Sequence, residues 1–323
     1  MKKKDRLTIV SLITSAVILA SSIPVNTTTN KYISRYYDVL MDDITVEYQL
    51  VEENVNFVPA KNYIPQGIAV TNGMVLISSY DYFKDRNSII SIYDNDGNLI
   101  NKCLLDNDAH VGGVAYDEKN GIVWVTSYYG CIDGYNLEDL ITSKKAIPLY
   151  KDILVGEGLP NYKYSWLDTA SFLSFHDNEL LVGNFSLIDN GKVKRYSIDI
   201  IDNEVVLKYK GSFIIPDKVQ GITFRTYNNT DYMLMSRSYG QNIPSLLQIF
   251  KYSDEIKDYT NDEVVSDIVR FSPMLEQIVC NNDKLYMLYE SNSNIYNCKQ
   301  KDDFDSVPII DADDLVKRLE NKK

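Results

Sequence analysis

The sequence predicts an all-β propeller of four-stranded antiparallel blades, with five blades countable. Three observations lead there. One short pattern recurs five times: an apolar strand led by a small residue, a polar turn, and a second apolar strand ending near an aromatic residue. The copies pair residues 65–70 with 75–80, 111–116 with 123–128, 169–173 with 180–185, 219–224 with 233–236, and 275–279 with 285–289. The aligned positions Gly67, Gly113, Ser171, Gly221 and Gln277 are separated by 46, 58, 50 and 56 residues. Repeats of roughly 40–50 residues made only of strands are the signature of propeller blades. Turn residues return about every 8–12 residues, with no helical period of useful length.

The elements follow in chain order. Residues 1–25 read as a signal peptide or an N-terminal membrane anchor. Lys2, Lys3, Lys4 and Arg6 precede an apolar run over residues 7–20, and Ala20-Ser21-Ser22 is a small-residue cleavage site. Carried through to Val25, the run is also long enough to span a bilayer once. Residues 26–43 read as a tether. Residues 44–50 alternate apolar and polar, as an amphipathic strand does, and are placed to complete the last blade and close the ring. The propeller is read over 44–311. Its hairpins carry Asp94-Asn95-Asp96-Gly97, Asn120-Gly121, Asp177-Asn178, Asp202-Asn203, Asn228-Asn229 and Asn281-Asn282-Asp283, the residue types that tight turns require. Residues 155–166 form the longest insert, placed to lie over one mouth of the ring. Residues 137–141 and the tail 312–323 each suggest a helical turn.

Composition narrows the partners. The chain has 323 residues, 45% hydrophobic and 24% charged, enough to bury a sizeable core. A net charge of −12 argues against nucleic acid, because phosphate neutralisation needs clustered Lys and Arg. It argues equally against the folded body adhering to an anionic membrane, so membrane contact falls to the N-terminal segment alone. The 25 tyrosines suit strands, and they suit a glycan- or peptide-binding surface too. Cys103, Cys131, Cys280 and Cys298 are irregularly spaced and read as free thiols, with Cys280 and Cys298 assigned to the first and third strands of one blade.

Residues that open inner strands face the central channel. By alignment these are Gln66, Gly112, Ala170, Gln220 and Glu276, with His110 and Asp168 just upstream. Ser79, Ser127, Asn184, Arg237 and Glu290 lie near the ends of the second strands. Together Glu276, Arg237, Gln66, Gln220, Asn184, Glu290, His110 and Asp168 make a candidate ligand-binding mouth. A channel carboxylate is costly unless paired, and Arg237 is the partner expected for Glu276. No cofactor is required. Calcium is the metal these oxygens would suit, while zinc lacks a close His pair or a Cys-x-x-Cys. His176, in a turn, is expected to be solvated. No Gly-x-Ser-x-Gly elbow or glycine-rich phosphate loop is present.

The Gln-Gly-Ile and Gly-Gly-Val strand starts and the Asp-x-Asp-Gly turn resemble the six-bladed TolB-like propellers, which include lactonase-type and strictosidine-synthase-like members. Ser236-Arg237-Ser238-Tyr239-Gly240, Met274-Leu275-Glu276 and Tyr289-Glu290-Ser291 look like exported bacterial propellers of that group. The resemblance covers most of residues 60–310. It implies six blades and a channel calcium held by Glu, Asn and Asp, for which Glu276 and Asn184 occupy comparable positions. Gln66 and Gln220 stand where a full metal set would have Asn or Asp. The functional expectation is an exported protein binding a small molecule, glycan or protein at one mouth. The alternative is a calcium-dependent lactonase or esterase using the channel carboxylates.

The basic flank before the apolar run predicts that the body lies outside the cytoplasm. Protease added to cells with a permeable wall should digest the folded domain, or the domain should appear in the medium. Digestion only after lysis would contradict export.

Overall fold

The protein is described from a computed structural model, which covers residues 53–57, 60–71, 73–155, 170–293, 295–296 and 306–321. Among these residues the chain forms five four-stranded antiparallel sheets arranged as propeller blades. Blade one is β2 (Tyr63–Thr71), β3 (Met74–Asp81), β4 (Ile89–Asp94) and β5 (Leu99–Leu104). Blade two is β6 (Val114–Asp117), β7 (Ile122–Thr126), β8 (Cys131–Asn136) and β9 (Tyr150–Leu154). Blade three is β10 (Phe172–His176), β11 (Glu179–Gly183), β12 (Gly191–Ile201) and β13 (Glu204–Ile215). Blade four is β14 (Val219–Tyr227), β15 (Thr230–Arg237), β16 (Ser245–Lys251) and β17 (Ser266–Phe271).

Blade five takes three strands from the end of the chain and one from its beginning. They are β18 (Leu275–Asn281), β19 (Lys284–Tyr289), β20 (Ser306–Asp311) and β1 (Glu53–Asn56). Strand β1 runs antiparallel to β20, with Glu53 opposite Ile309 and Asn56 opposite Ser306. The ring is therefore closed by Glu53–Asn56. The strand expected at residues 44–50 lies outside the described residues, as do most of the 155–166 insert and Cys298. The third strand of blade five is Ser306–Asp311 among the described residues. Five blades are formed, not the six that the resemblance implies. Cys103, Cys131 and Cys280 are free.

The hairpins follow from local chemistry. Asp177-Asn178, Asp202-Asn203 and Asn228-Asn229 all have positive φ at both positions. That conformation gives the two-residue turn matching strand twist, and Asn and Asp tolerate it better than other side chains. At the blade-one turn, Asp94 accepts bonds from the backbone N–H groups of Asp96 and Asn98, at 3.0 and 2.8 Å. Helix α1 (Leu137–Thr142) is capped by Asn136, whose side chain accepts from the N–H groups of Glu138 and Asp139. Helix α2 (Ala312–Asn321) exceeds the single turn expected. It buries Ala312, Leu315, Val316 and Leu319 against blades four and five. No described helix is long and apolar enough to cross a membrane.

The axis is close-packed. A Cβ on Gly67 would lie 2.8 Å from Val114 Cγ2, one on Gly113 would lie 2.5 Å from Leu173 N, and one on Gly221 would lie 2.9 Å from Gln277 Cα. Each small residue thus admits the inner strand of another blade. The fifth aligned position, Gln277, sits among them. Its Oε1 accepts from the N–H groups of Ile68 and Val114 at 3.2 and 3.0 Å, and its Nε2 donates to Val114 O and Leu173 O at 2.7 and 2.9 Å. Inner strands are sheet edges, and their backbone groups facing the axis need partners. The carboxamide has the donor and acceptor of a peptide group and supplies both.

Second-strand hydroxyls finish the joint. Ser78 Oγ accepts from Gly67 N at 3.0 Å and donates to Val111 O at 2.7 Å in the next blade. Thr126 Oγ1 accepts from Gly113 N at 2.9 Å, and Ser236 Oγ donates to Glu276 O at 2.6 Å.

Gln277→Met should therefore lower stability by at least about 3 kcal/mol, because buried backbone groups of three blades lose their partner. Urea unfolding of the full chain checks this. A loss below 1 kcal/mol would mean the axis repacks or admits water. Phe57, buried beside β1 and edge-on to Tyr93 at 5.5 Å, tests closure. Phe57→Ala should cost about 3–5 kcal/mol, and an unchanged unfolding midpoint would show that closure contributes little.

Candidate functional site at the mouth of the channel

Three inner strands carry a register irregularity where they begin: between Pro65 and Gly67, between Val219 and Gly221, and between Leu275 and Ile278. The residues at these irregularities include Gln66, Gln220 and Glu276. A bulge releases its extra residue from the ladder and re-aims the side chain. Blades two and three have Gly112 and Ala170 at the aligned positions, and their inner strands begin only at Val114 and Phe172.

Blade five supplies two carboxylates, Glu276 on β18 and Glu290 just past β19. Its two neighbours supply the donors. Gln66 Nε2 donates to Glu290 Oε1 at 3.0 Å and to its neighbour Pro65 O at 2.9 Å. The second bond requires an N–H, so it also fixes which end of the amide faces Glu290. Gln220 Nε2 lies 3.5 Å from both Glu276 Oε1 and Ser238 O, at the outer limit of a hydrogen bond. Burial pushes the Glu276 carboxyl well above the usual range, and the Glu290 charge pushes it further. Burial raises Glu290 to about 7, while the Gln66 hydrogen bond pulls it down. Like charges this close resist joint ionisation, so the pair titrates as a unit and retains a proton near neutral pH.

Beside the carboxylates lies an aromatic wall. Tyr80 is buried, and its phenol is pushed far above its ordinary value by burial and then by Glu290. The His110 ring packs on Tyr80 at 4.5 Å between centroids. Burial, and then Lys84, hold His110 down to about 3, so its imidazole is neutral. Its Nδ1 is buried without a hydrogen-bond partner among the described residues. Lys84 Nζ stands 4.6 Å from the Tyr80 ring centroid and donates to Asp108 O at 2.7 Å. Val111, next to His110, has φ +51, a left-handed conformation that β-branched residues avoid.

The sequence-predicted residues separate. Gln66, Gln220, Glu276 and Glu290 are joined by the contacts above, with Tyr80 and His110 alongside. Arg237 is not the partner of Glu276. Its guanidinium donates to Asp217 Oδ1 at 2.6 Å, Asp217 O at 3.1 Å and Gln248 Oε1 at 3.2 Å, and no ion pair joins it to Glu276 among the described residues. The charge it meets comes from the strand approach at Asp217. Asn184 Oδ1 accepts from Lys192 N at 2.7 Å, and Asn184 lines a recess of about 220 Å³ with Val182 and Gly191 in blade three. Asp168 lies outside the described residues. His176 is not solvated: its ring stacks on Phe224 at 4.1 Å, because the blade-four hairpin covers it.

These placements bear on calcium. That ion needs converging oxygens. Gln66 and Gln220 turn N–H groups toward the carboxylates, and the Asn184 oxygen is taken by a backbone N–H. The described donors therefore do not fit a calcium site as they stand. Among the described residues, Ser236 Oγ donates to Glu276 O and Ser238 Oγ accepts from Ser245 at 3.0 Å. Tyr80 and Gln277 escaped the sequence reading as functional positions. Tyr80 was visible only as the aromatic closing a second strand, and Gln277 only as the one large residue in a column of small ones.

No protein-family model and no curated protein matches the chain. Among solved structures it is similar to the tail fiber of Staphylococcus aureus phage P68, with 18% identity and a TM-score of 0.42 over 77% of this chain and 52% of that one. The chain thus spans about half of the tail fiber. It is also similar to the WD40 β-propeller domain of Doa1 (10% identity, TM-score 0.39, 80% and 96% covered). U3-55K is a third (9% identity, TM-score 0.42, 79% and 97% covered). These likenesses concern the fold alone, and the site is read from this chain's own residues.

The raised carboxyl pair predicts a pH response. Folding favours its protonated form, so the contribution to stability is present below the ordinary Glu value of about 4.5 and is lost as pH rises through about 7. The melting midpoint should fall between about pH 5 and 8, and Glu276→Gln should flatten that slope. Parallel slopes in the two proteins would show that the pair is not desolvated.

Proposed function

We propose that this protein is an exported β-propeller, of the kind the TolB-like resemblance suggests, that binds a ligand or protein partner at the channel mouth formed by Gln66, Gln220, Glu276 and Glu290. One observation carries the reading: two neighbouring carboxylates are kept in a desolvated mouth with amide donors and no described ion pair. Burying such groups costs stability unless something rewards it. A ligand presenting hydroxyl or ammonium hydrogens would satisfy the free carboxylate lone pairs. Export is supported by the basic segment and apolar run before residue 26. A fold shared with many binding propellers permits this role without specifying it.

The test is a glycan and peptide array probed with the full chain and with Glu276→Gln. Binding should be present in the wild type and at least about tenfold weaker in the variant, the loss of one charged hydrogen bond. Calcium-dependent hydrolysis of a lactone or aryl ester, abolished by Glu276→Gln, would favour the hydrolase reading instead. Equal binding by wild type and variant would place recognition away from the mouth.

A further inference from the structure

We infer that His176, Asp177 and Asp231 form a binding site for one divalent transition-metal ion of the zinc class, between the first hairpins of blades three and four. This site lies at the far ends of the inner strands from the mouth. His176 ends β10, Asp177 follows it in the turn, and Asp231 sits at the start of β15. It does not depend on the binding function proposed for the mouth.

The first argument is distance. His176 Nε2 lies 3.5 Å from Asp231 Oδ2 and 3.6 Å from Asp177 Oδ2. Both separations exceed a hydrogen bond of 2.7–3.2 Å. An ion bonded to nitrogen and oxygen at about 2.0–2.2 Å would hold those atoms about 3.0–3.6 Å apart. One ligand atom from each of the three residues lies within 4.8 Å of the others.

The second argument is the state of the imidazole nitrogen. Nε2 is buried and has no hydrogen-bond partner among the described residues. A buried polar atom without a partner is uncommon and calls for one. Here it points between two carboxylate oxygens.

The third argument is preorganisation. The His176 ring is clamped by Phe224, stacked at 6°, and by Tyr252, edge-on at 5.7 Å. Thr226 Oγ1 donates to Asp231 Oδ1 at 2.6 Å, which leaves Oδ2 toward the histidine. Tyr252 N donates to Asp231 O at 2.8 Å. Such outer contacts orient metal ligands. The backbone around Asp177 is a tight turn, and its side chain is 80% exposed, so the fourth coordination position opens to water.

The chemistry selects the ion. One imidazole nitrogen with two carboxylate oxygens suits zinc or a neighbouring first-row ion, whereas calcium and magnesium prefer oxygen alone. The sequence hides the set, because Asp231 is far from the His-Asp pair in the chain.

Metal-stripped full chain, without an added histidine tag, should be titrated with zinc chloride by calorimetry near pH 7. We expect one zinc per chain. His176→Phe keeps the ring stack and removes the ligand, and Asp231→Asn keeps an oxygen for Thr226. Each should weaken binding at least about tenfold, while Glu276→Gln should leave it unchanged. Zinc at about 100 times its Kd should raise the wild-type melting midpoint by about 5–10 °C and leave both ligand variants unmoved. Absence of zinc binding in the wild type would overturn the proposal. Equal binding in both ligand variants would overturn it too, by placing the ion elsewhere.

Discussion

The carboxamide of Gln277 is the contact on which the ring depends. A five-bladed ring brings its inner strands so close that a Cβ at Gly67, Gly113 or Gly221 would collide with another blade. That closeness leaves edge N–H and C=O groups facing the axis. A single side chain with peptide-like chemistry answers the need, bonding blades one, two and three from its place on blade five. Four small residues and one glutamine are thus a single solution, since the space surrendered at four positions is filled from the fifth.

The mouth inherits its properties from that joint. The irregular register that accommodates Gln277 also displaces Glu276, and Ser236 holds the Glu276 backbone from the adjacent blade. Glu276 is therefore held from blade four before any ligand arrives. The residue adjoins the packed axis that Gln277 fills. Burial, more than the neighbouring charge, raises the carboxyl pair.

The fold was legible because its constraints are local. Small residues at the axis, paired Asn and Asp in the hairpins, and hydroxyls behind the strand starts all repeat at blade spacing. Polar strand openings at Gln66, Gln220 and Glu276 were legible for the same reason. What escaped reading depends on partners distant in the chain. Arg237 looked available to Glu276 until Asp217, on the approach to β14, supplied a closer acid. His176 read as a turn residue until a hairpin of the next blade covered it. Strand β1 has only four residues, Glu-Asn-Val-Asn, and nothing in them announces a partner at Ser306–Asp311. Blade number was misjudged by the resemblance because strand starts look alike in rings of five and six.

Closure through β1 gives the propeller a mechanical weak point. Any pull on the chain before residue 53 enters the ring at an outer strand held by four register pairs, not at its packed axis. Load would peel β1 from β20 and uncover Val55, Phe57 and Val307 while the plug at Gln277 stayed intact. Synthesis runs the same feature in reverse. Strand β1 emerges first and waits for a partner some 250 residues behind it, so the ring can be completed only after the last blade has been made.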